Sequence, residues 1–367
     1  MKIAILSDVH IGAVPADILR RELNEEFLKV IEEEGVDTVV IAGDLIDHKL
    51  SFNSEDSKLA IEFVEELSRN YRVRIIKGTK THDLNQLSNF SYLEEKSDTD
   101  FKVINVLSTE TINGLSVLYL PEEYLDDYFE TYKEQLDPEK NNYDIGLFHG
   151  TWNFAGYVAK SQESERPIKH APLYKYDDMK DLATVFVGGH IHTGDTYKSK
   201  IYYTGSFSRW HMGEENPKGF RIVEFDEEGN YKGITFHENK LARKYITLDV
   251  NELLKEEGEI QDKIKKIEEI KNDKGIHKLR IKFDTAGDDL QSSIIKDYFA
   301  KGADVKVDIT NVSKEKEEAE EQKLTEDYAF IFNRDCDMAH MISKYLAKHD
   351  GLELSPERIA ELLLEQD

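Results

Sequence analysis

Five short clusters of carboxylates and imidazoles punctuate the first half of the chain: Asp8-Val9-His10, Gly43-Asp44 with Asp47 three residues on, His82-Asp83, His149-Gly150 and Gly189-His190-Ile191-His192. Each follows a run of β-branched or small apolar residues that reads as a buried strand: Lys2–Ser7, Thr38–Ala42, Val73–Lys77, Ile145–Phe148 and Val185–Val187. The anchor is Ile41–Asp47, I-A-G-D-L-I-D, where Gly43 ends the strand and Asp44 emerges at its carboxyl end. Open α/β sheets form their sites at that edge, and a structural histidine has no reason to prefer it. Five such exits therefore imply one site. If Asp8–His10 stays extended, its two outer side chains share a face and can grip one ion. The donors are oxygen and nitrogen with no thiolate, which suits Mn, Fe or Zn, with Mg compatible. They are too many for one ion with an open position, so a binuclear centre bridged by one carboxylate fits better.

The elements that must position these residues follow from periodicity. Ile18, Leu19, Leu23, Phe27, Val30 and Ile31 recur at helical spacing over Ala16–Glu34, with Gly35 as the C′ residue, so Lys2–Asp47 reads as a β-α-β unit. Ser57–Arg69 is a second helix. Val103–Leu107 and Leu115–Tyr119 read as a hairpin about Asn113-Gly114. Tyr124–Leu136 reads as an acidic helix with a solvated charged face. Trp152–Pro172 reads as a long loop that places Lys160, Arg166, Lys169 and His170 near Trp152, Phe154 and Tyr157. Phe220–Phe225 and Ile234–His237 close the domain as antiparallel strands.

Composition shifts near residue 242. Lys244–Val250, Glu252–Ile270, His277–Phe283, Asp288–Phe299 and Asp304–Ile309 read β-α-β-α-β. The expected organisation is a site-bearing domain over 1–241, a small α+β domain over 242–312, a charged linker over 313–326 and a helical tail over 327–367. The tail carries two apolar stripes, one through Met338, Met341, Ile342, Tyr345 and Leu346, the other through Ile359, Leu362 and Leu363. Ser355-Pro356 opens the second helix as N-cap and N1.

A net charge of −26 means that the overall field does not steer the protein to nucleic acid; a polyanion would need a local basic patch, a metal site or a partner surface. The single cysteine, Cys336, excludes an intrachain disulfide framework and a Cys-rich zinc site, which fits a reducing cytoplasm. Ile3–Leu6 is too short for a signal sequence, and no later run is long and apolar enough to span a bilayer.

The order D-x-H, G-D-x-x-D, H-D, F-H-G, G-H-I-H resembles the calcineurin-like metallophosphoesterase superfamily over about residues 1–240. The fold this implies is an α/β two-sheet sandwich flanked by helices. Within the superfamily the chain most resembles the SbcD/Mre-eleven nucleases in their phage-encoded form, through Gly205-Ser206-Phe207-Ser208-Arg209, Gly213-Glu214-Glu215 and Pro217-Lys218-Gly219-Phe220. The small α+β domain resembles that family's DNA-capping domain, and the terminal helices resemble the segment that grips an SbcC/Rad-fifty ATPase.

The resemblance implies that Asp8, His10 and His192 hold one metal, that His149 and His190 hold a second, and that Asp44 bridges them. His82 would be the catalytic histidine and Asp47 its orienting partner; Arg209, Lys80 and Lys169 would contact substrate. The family writes its third motif Gly-Asn-His-Asp, with the Asn on the second metal. This chain has no Asn there, and two extra residues separate Gly78 from His82. Thr81, Asp83 or a water could take the vacant ligand position. The implied activity is exonuclease action on duplex ends and endonuclease action on single strands with two divalent ions, Mn foremost. The implied setting is a homodimer with an ATPase partner on DNA, away from membranes, in the host cytoplasm for a phage protein. The rival readings are a phosphodiesterase or phosphatase acting on nucleotides or phosphoproteins, and a non-catalytic scaffold of the same fold.

Overall fold

The computed structural model describes residues 1–283 except 84, 165–167, 211–212, 256–257 and 273–275, and beyond them 294, 295, 298, 307–311, 355, 358 and 359. The strands of the first part are β1 (Lys2–Leu6), β2 (Thr38–Ala42), β3 (Arg72–Ile76), β4 (Phe101–Ile104), β5 (Ser108–Ile112), β6 (Leu115–Leu120), β7 (Tyr143–His149), β8 (Thr151–Trp152), β9 (Leu173–Tyr174), β10 (Ala183–Gly189), β11 (Asp195–Tyr197), β12 (Ile201–Tyr203), β13 (Gly219–Phe225) and β14 (Tyr231–Glu238). One six-stranded sheet has the order β14-β13-β1-β2-β3-β4, the other β11-β12-β10-β7-β6-β5. β1 to β4 are parallel, as are β6, β7, β10 and β12. Antiparallel strands close the edges, with β13 and β14 on the first sheet and β5 and β11 on the second.

Alternation along β1 shows how the layers form. Ile3 and Ile5 point into the space between the sheets with Val40, Val117, Ile145 and Val185. Ala4 and Leu6 point the other way, against Phe27, Phe63 and Leu67 of the covering helices. A third cluster around Phe148, Trp152, Tyr174 and Phe186 backs the second sheet. The result is the two-sheet sandwich flanked by helices that the resemblance implied. Strands buried on both faces read as continuous apolar runs rather than alternating ones, which is why β2, β7 and β10 were legible.

Several boundaries differ from expectation. The first helix runs Ala16–Glu22, widens into a π-helical stretch over Leu23–Leu28 and resumes over Lys29–Glu33, with Gly35 left-handed at its end. The second is Glu55–Asn70, capped by the Ser54 hydroxyl on the Ser57 amide. The hairpin about Asn113-Gly114 uses Ser108–Ile112, not Val103–Leu107; Phe101–Ile104 belongs to the other sheet, beside β3. S-T-E-T-I was passed over because as an edge strand it buries only Ile112 fully. The expected helix Tyr124–Leu136 shrinks to Tyr128–Thr131, because Tyr128 and Leu136 enter the third core cluster from an irregular path. The expected loop after Trp152 contains a helix, Ala155–Ser164, and Trp152 itself is buried.

The chain divides into two compact units, Met1–Ile246 with Asn272–Lys278, and Thr247–Lys271 with Leu279–Asp367. In the second unit the single expected helix Glu252–Ile270 is two, Val250–Lys255 and Ile260–Lys271, parted at Gly258, whose φ is 127°. Strand Ile276–Phe283 pairs in parallel with Val307–Asn311. The expected helix Asp288–Phe299 falls mostly outside the described residues. So do Arg166, Cys336, the 313–326 linker and nearly all of the tail. Ser355 is described, and its hydroxyl accepts the Arg358 amide as the N-cap reading requires. Among the described residues no helix is long and apolar enough to cross a membrane.

One polar contact ties the sheets together. Arg74 on β3 donates to both Glu110 oxygens on β5 at 2.8 and 2.7 Å and to Asp100 at 2.8 Å. Burial alone would raise the Glu110 carboxyl, but the Arg74 and Lys102 hydrogen bonds outweigh it and hold it at about 2. Glu110→Gln should cost about 1.5–3 kcal/mol at pH 7, the worth of hydrogen bonds to a charged group. The folded value lies below the unfolded 4.5, so this contribution is whole above pH 4.5 and fades as pH falls toward 2. Urea unfolding of both chains at several pH values should show the gap closing over that window.

Candidate metal centre

The exits of β1, β2, β3, β6, β7 and β10 converge at one edge of the sandwich. β1 and β2 stay paired beyond their ends: Asp8 N donates to Gly43 O, His10 N to Asp44 O and Ile11 N to Leu45 O. Asp8, His10 and Asp44 have φ of 48°, 48° and 51°, and His190 has 95°. Asp8–His10 is therefore not extended as expected; two left-handed residues turn both side chains inward. Such backbone costs about 1–3 kcal/mol per residue and persists where its surroundings over-determine it. The approach is close. A methyl group on Gly43 would lie 2.0 Å from His149 Nδ1, and one on Gly78 2.1 Å from Asp44 Oδ1.

Ligand atoms of Asp8, His10 and His192 lie within 4.8 Å of one another; so do those of Asp8, Asp44 and His149, those of Glu122, His149 and His190, and those of His10, Asp47 and His82. The first three groups form a chain linked through Asp8 and His149. Each histidine has one ring nitrogen engaged outside the cluster. His10 Nδ1 donates to Asp47 Oδ1 at 3.1 Å and His149 Nδ1 to Ala42 O at 2.8 Å, and His190 Nε2 is hydrogen-bonded to Ser161 Oγ at 2.8 Å. His192 Nδ1 lies 3.4 Å from Glu214 Oε1. The opposite nitrogens of His10, His149 and His190 are thereby aimed inward, the arrangement that outer partners impose on metal-binding imidazoles.

The electrostatics call for a cation. Burial pushes the His10 imidazole below its ordinary value, against the pull of Asp47. Burial would also lower His149, but the Asp44, Asp8 and Glu122 carboxylates outweigh it and hold His149 well above its ordinary value. Burial opposes ionisation of Asp44, and the His149 and His10 imidazoles hold it well below the usual carboxylate range. Among the described residues, His10 Nε2 is buried without a hydrogen-bond partner, and Asp44 Oδ2 is buried 3.2 Å from His149 Nε2. Buried polar atoms left in this way are costly unless an ion engages them. Imidazole nitrogen and carboxylate oxygen fit a divalent ion such as Mn, Fe or Zn.

Asp8, His10, Asp44, Asp47, His82, His149, His190 and His192 are all brought together. The relation of Asp47 to His82 differs from expectation. His82 Nδ1 donates to the Asp47 backbone carbonyl at 2.5 Å, while the Asp47 carboxylate serves His10 and His48 and lies 3.7 Å from His82. Burial notwithstanding, those two histidines hold Asp47 at about 2.

Thr81 is exposed and Asp83 faces backbone, so neither offers a group to the cluster. Asp83 accepts the amides of Asp44, Ile46 and Gly78, and burial with the Asp44 charge pushes it up to about 7. Thr79 stands there instead, fully buried, with Oγ1 3.3 Å from His149 Nε2 and 3.4 Å from His190 Nδ1. It directly follows Gly78, and the extra residues Lys80-Thr81 bulge out after it, which sequence spacing from His82 concealed.

Arg209 is a structural residue: its guanidinium donates to the carbonyls of Glu214, Ala242 and Asn216. Lys80 lies over the Tyr124 ring, and Lys169 is exposed with no contact placing it at the site. Lys160 pairs with Asp195 and His170 with Asp126, so these two do not form the expected basic patch. Sequence reasoning missed Glu122, Ser161, Glu214 and Trp210, whose ring centre is 4.0 Å from that of His10. Glu122 was discoverable: with Pro121 it directly follows β6, a sixth strand exit, between the expected strand Leu115–Tyr119 and the expected helix Tyr124–Leu136.

Asp44→Asn should lower Mn binding below that of any single-histidine variant, because Asp44 lies between His149 and Asp8 and removing its charge weakens both halves. Thr81→Asn should leave binding unchanged, since Thr81 is exposed. Calorimetric Mn titration of the two variants checks both.

Residues 1–194 match the family described as Calcineurin-like phosphoesterase. The chain is 24% identical over 233 residues to phosphoesterase 078R of Invertebrate iridescent virus 3, covering 61% of this chain and 63% of that protein, so it spans less than two thirds of that relative's length. Among solved structures it is similar to GAP50, the anchor in the inner membrane complex of Plasmodium, at 15% identity over 66% of this chain and 86% of that one with a TM-score of 0.42. It is also similar to a dimetal phosphatase from Danio rerio, at 12% identity over 65% and 99% with a TM-score of 0.34. With residues 1–194 of 367 inside the match, this chain belongs to the calcineurin-like phosphoesterase family.

Proposed function

We propose that this protein is a two-metal DNA nuclease, acting on duplex ends and single strands as the nuclease subunit of an SbcC/Rad-fifty-type complex. The observation that carries the hydrolytic reading is the continuous chain of ligand groups, Asp8-His10-His192 through Asp44 to His149-His190, with His82 held beside it. The DNA assignment draws on the resemblance of Gly205–Arg209 and Pro217–Phe220 to that nuclease family. These residues also brace the site: Ser206 N donates to His192 O, and Lys218 Nζ donates to His192 O and Glu214. The ions would be held by Asp8, His10 and His192 on one side and by His149 and His190 on the other, with Asp44 between.

Two divalent ions bound there would supply an activated water and offset the charge of the phosphoryl group. The rest falls to the chain's own groups. His10 and His149 are locked in one tautomer by Asp47 and Ala42, and Ser161 holds the His190 ring, so ligand geometry is set before substrate arrives. His82 donates Nδ1–H to the Asp47 carbonyl, which fixes the ring and leaves Nε2 to hand a proton to the leaving 3′ oxygen when the ring is cationic. The Asp47 carboxylate 3.7 Å away favours that cation.

A second reading, a phosphodiesterase or phosphatase on small or protein substrates, is favoured by the net charge of −26 and by the pairing of Lys160 with Asp195. Linear duplex DNA, bis-p-nitrophenyl phosphate and a phosphopeptide, each incubated with Mn, separate the two. Cleavage of DNA stimulated by an SbcC-type partner is expected, and turnover of the small diester or phosphopeptide alone would defeat the nuclease assignment. A chain ending at Asn311 should keep Mn-dependent diester cleavage and lose the partner, because the expected apolar stripes of the tail lie beyond it. His82→Ala should retain its Mn and lose about 10²–10⁴ in rate. Loss of metal in proportion to activity would make His82 a ligand instead.

A further inference from the structure

We infer that Glu122 is a ligand of the second metal position, supplying a carboxylate where the family pattern has an asparagine amide, with Thr79 and Tyr124 as its positioning residues. The inference rests on the two-ion reading above and adds a residue to it. Glu122 is 1% exposed and leaves β6 through Pro121 toward the site. Its two oxygens have different duties. Oε1 accepts the Tyr124 hydroxyl at 2.6 Å, and that phenol oxygen in turn accepts the Lys80 amide at 3.0 Å. Oε2 points into the cluster, 3.4 Å from His190 Nδ1 and 3.7 Å from His149 Nε2.

The hydrogen bonds around these atoms carry the argument. His149 donates Nδ1–H to Ala42 O, and His190 Nε2 is hydrogen-bonded to Ser161 Oγ. His149 Nε2, His190 Nδ1 and Glu122 Oε2 converge within 4.8 Å of one another. The Thr79 hydroxyl donates its one proton to Glu122 Oε2 at 3.1 Å. All three side chains are buried, and each has its other polar atom engaged away from the cluster. Two imidazoles and a carboxylate, each anchored from behind, are what a divalent ion of the Mn or Zn class takes. Exchanging a neutral amide for an anion adds a negative charge to the second position, so it should hold its ion more firmly than an amide would.

The test counts metals on the full chain. Wild type and Glu122→Ala are titrated with Mn by calorimetry, and Mn–Mn coupling is read by electron paramagnetic resonance, with circular dichroism confirming the fold. Wild type should bind two ions and show a coupled pair. Glu122→Ala should bind one ion as before, weaken the second by at least about 100-fold, the upper end of what loss of an outer partner costs, and give an uncoupled signal. Adding Thr79→Asn to that variant should recover the second ion, since residue 79 faces both imidazoles. Glu122→Leu, which fills the space without a donor atom, replaces the alanine variant if that chain does not fold. Two ions of unchanged affinity in the alanine or leucine variant would overturn the inference, making Glu122 a structural partner of the imidazoles and leaving the phosphoesterase reading intact. Fewer than two ions in wild type would overturn both.

Discussion

The site depends on hydrogen bonds that cross from one sheet to the other at a single edge. His149, at the end of β7 in the second sheet, donates Nδ1–H to Ala42 O at the end of β2 in the first. The His190 amide, after β10, donates to both carboxylate oxygens of Asp8, after β1. These bonds do two things at once. They fix the distance between the sheets at the edge where ligands emerge, and they use up the groups that would otherwise compete for the ion. Gly43 and Gly78 are the steric condition for this closeness, since a side chain at either would occupy the space of His149 or Asp44.

The cost of that geometry is visible in the backbone. Left-handed φ at Asp8, His10, Asp44 and His190 concentrates strain at the residues that face the cluster. A few kcal/mol stored there is a sizeable fraction of the 5–15 kcal/mol typical of net domain stability. The sandwich tolerates it because the strands leading in are buried on both faces and the Arg74–Glu110–Asp100 contact ties the sheets on another strand pair.

The charge distribution separates local from global electrostatics. The chain is strongly acidic overall, yet the cluster itself shows a deficit of positive charge, expressed as the raised His149 and the depressed Asp44. A divalent ion answers that deficit where the surface field cannot. Lys160 and His170 are each paired to a carboxylate.

By itself the sequence determined the strand exits, the donor types and the order in which they occur, because doubly buried strands write long apolar runs and metal ligands use few residue types. Asp8, His10, Asp44, His82, His149, His190 and His192 were legible on that basis as one set of strand exits, whereas the two-sheet arrangement came from the resemblance to the family. Tertiary structure alone decided which carboxylate stands at the missing amide position. Glu122 falls between the expected strand Leu115–Tyr119 and the expected helix Tyr124–Leu136, with no motif to mark it, and Thr79 lay two residues from the spacing that pointed to Thr81. It also decided that Arg209 is structural, that Asp47 hydrogen-bonds His10 through its carboxylate and His82 through its backbone carbonyl, and that a helix supplies Ser161 to His190. The physical reason is common to all of these. Residue type and local period record what a strand buries, whereas the direction of a side chain beyond the strand's end is set by bonds to the opposite sheet, more than a hundred residues away in the case of His149 and Ala42.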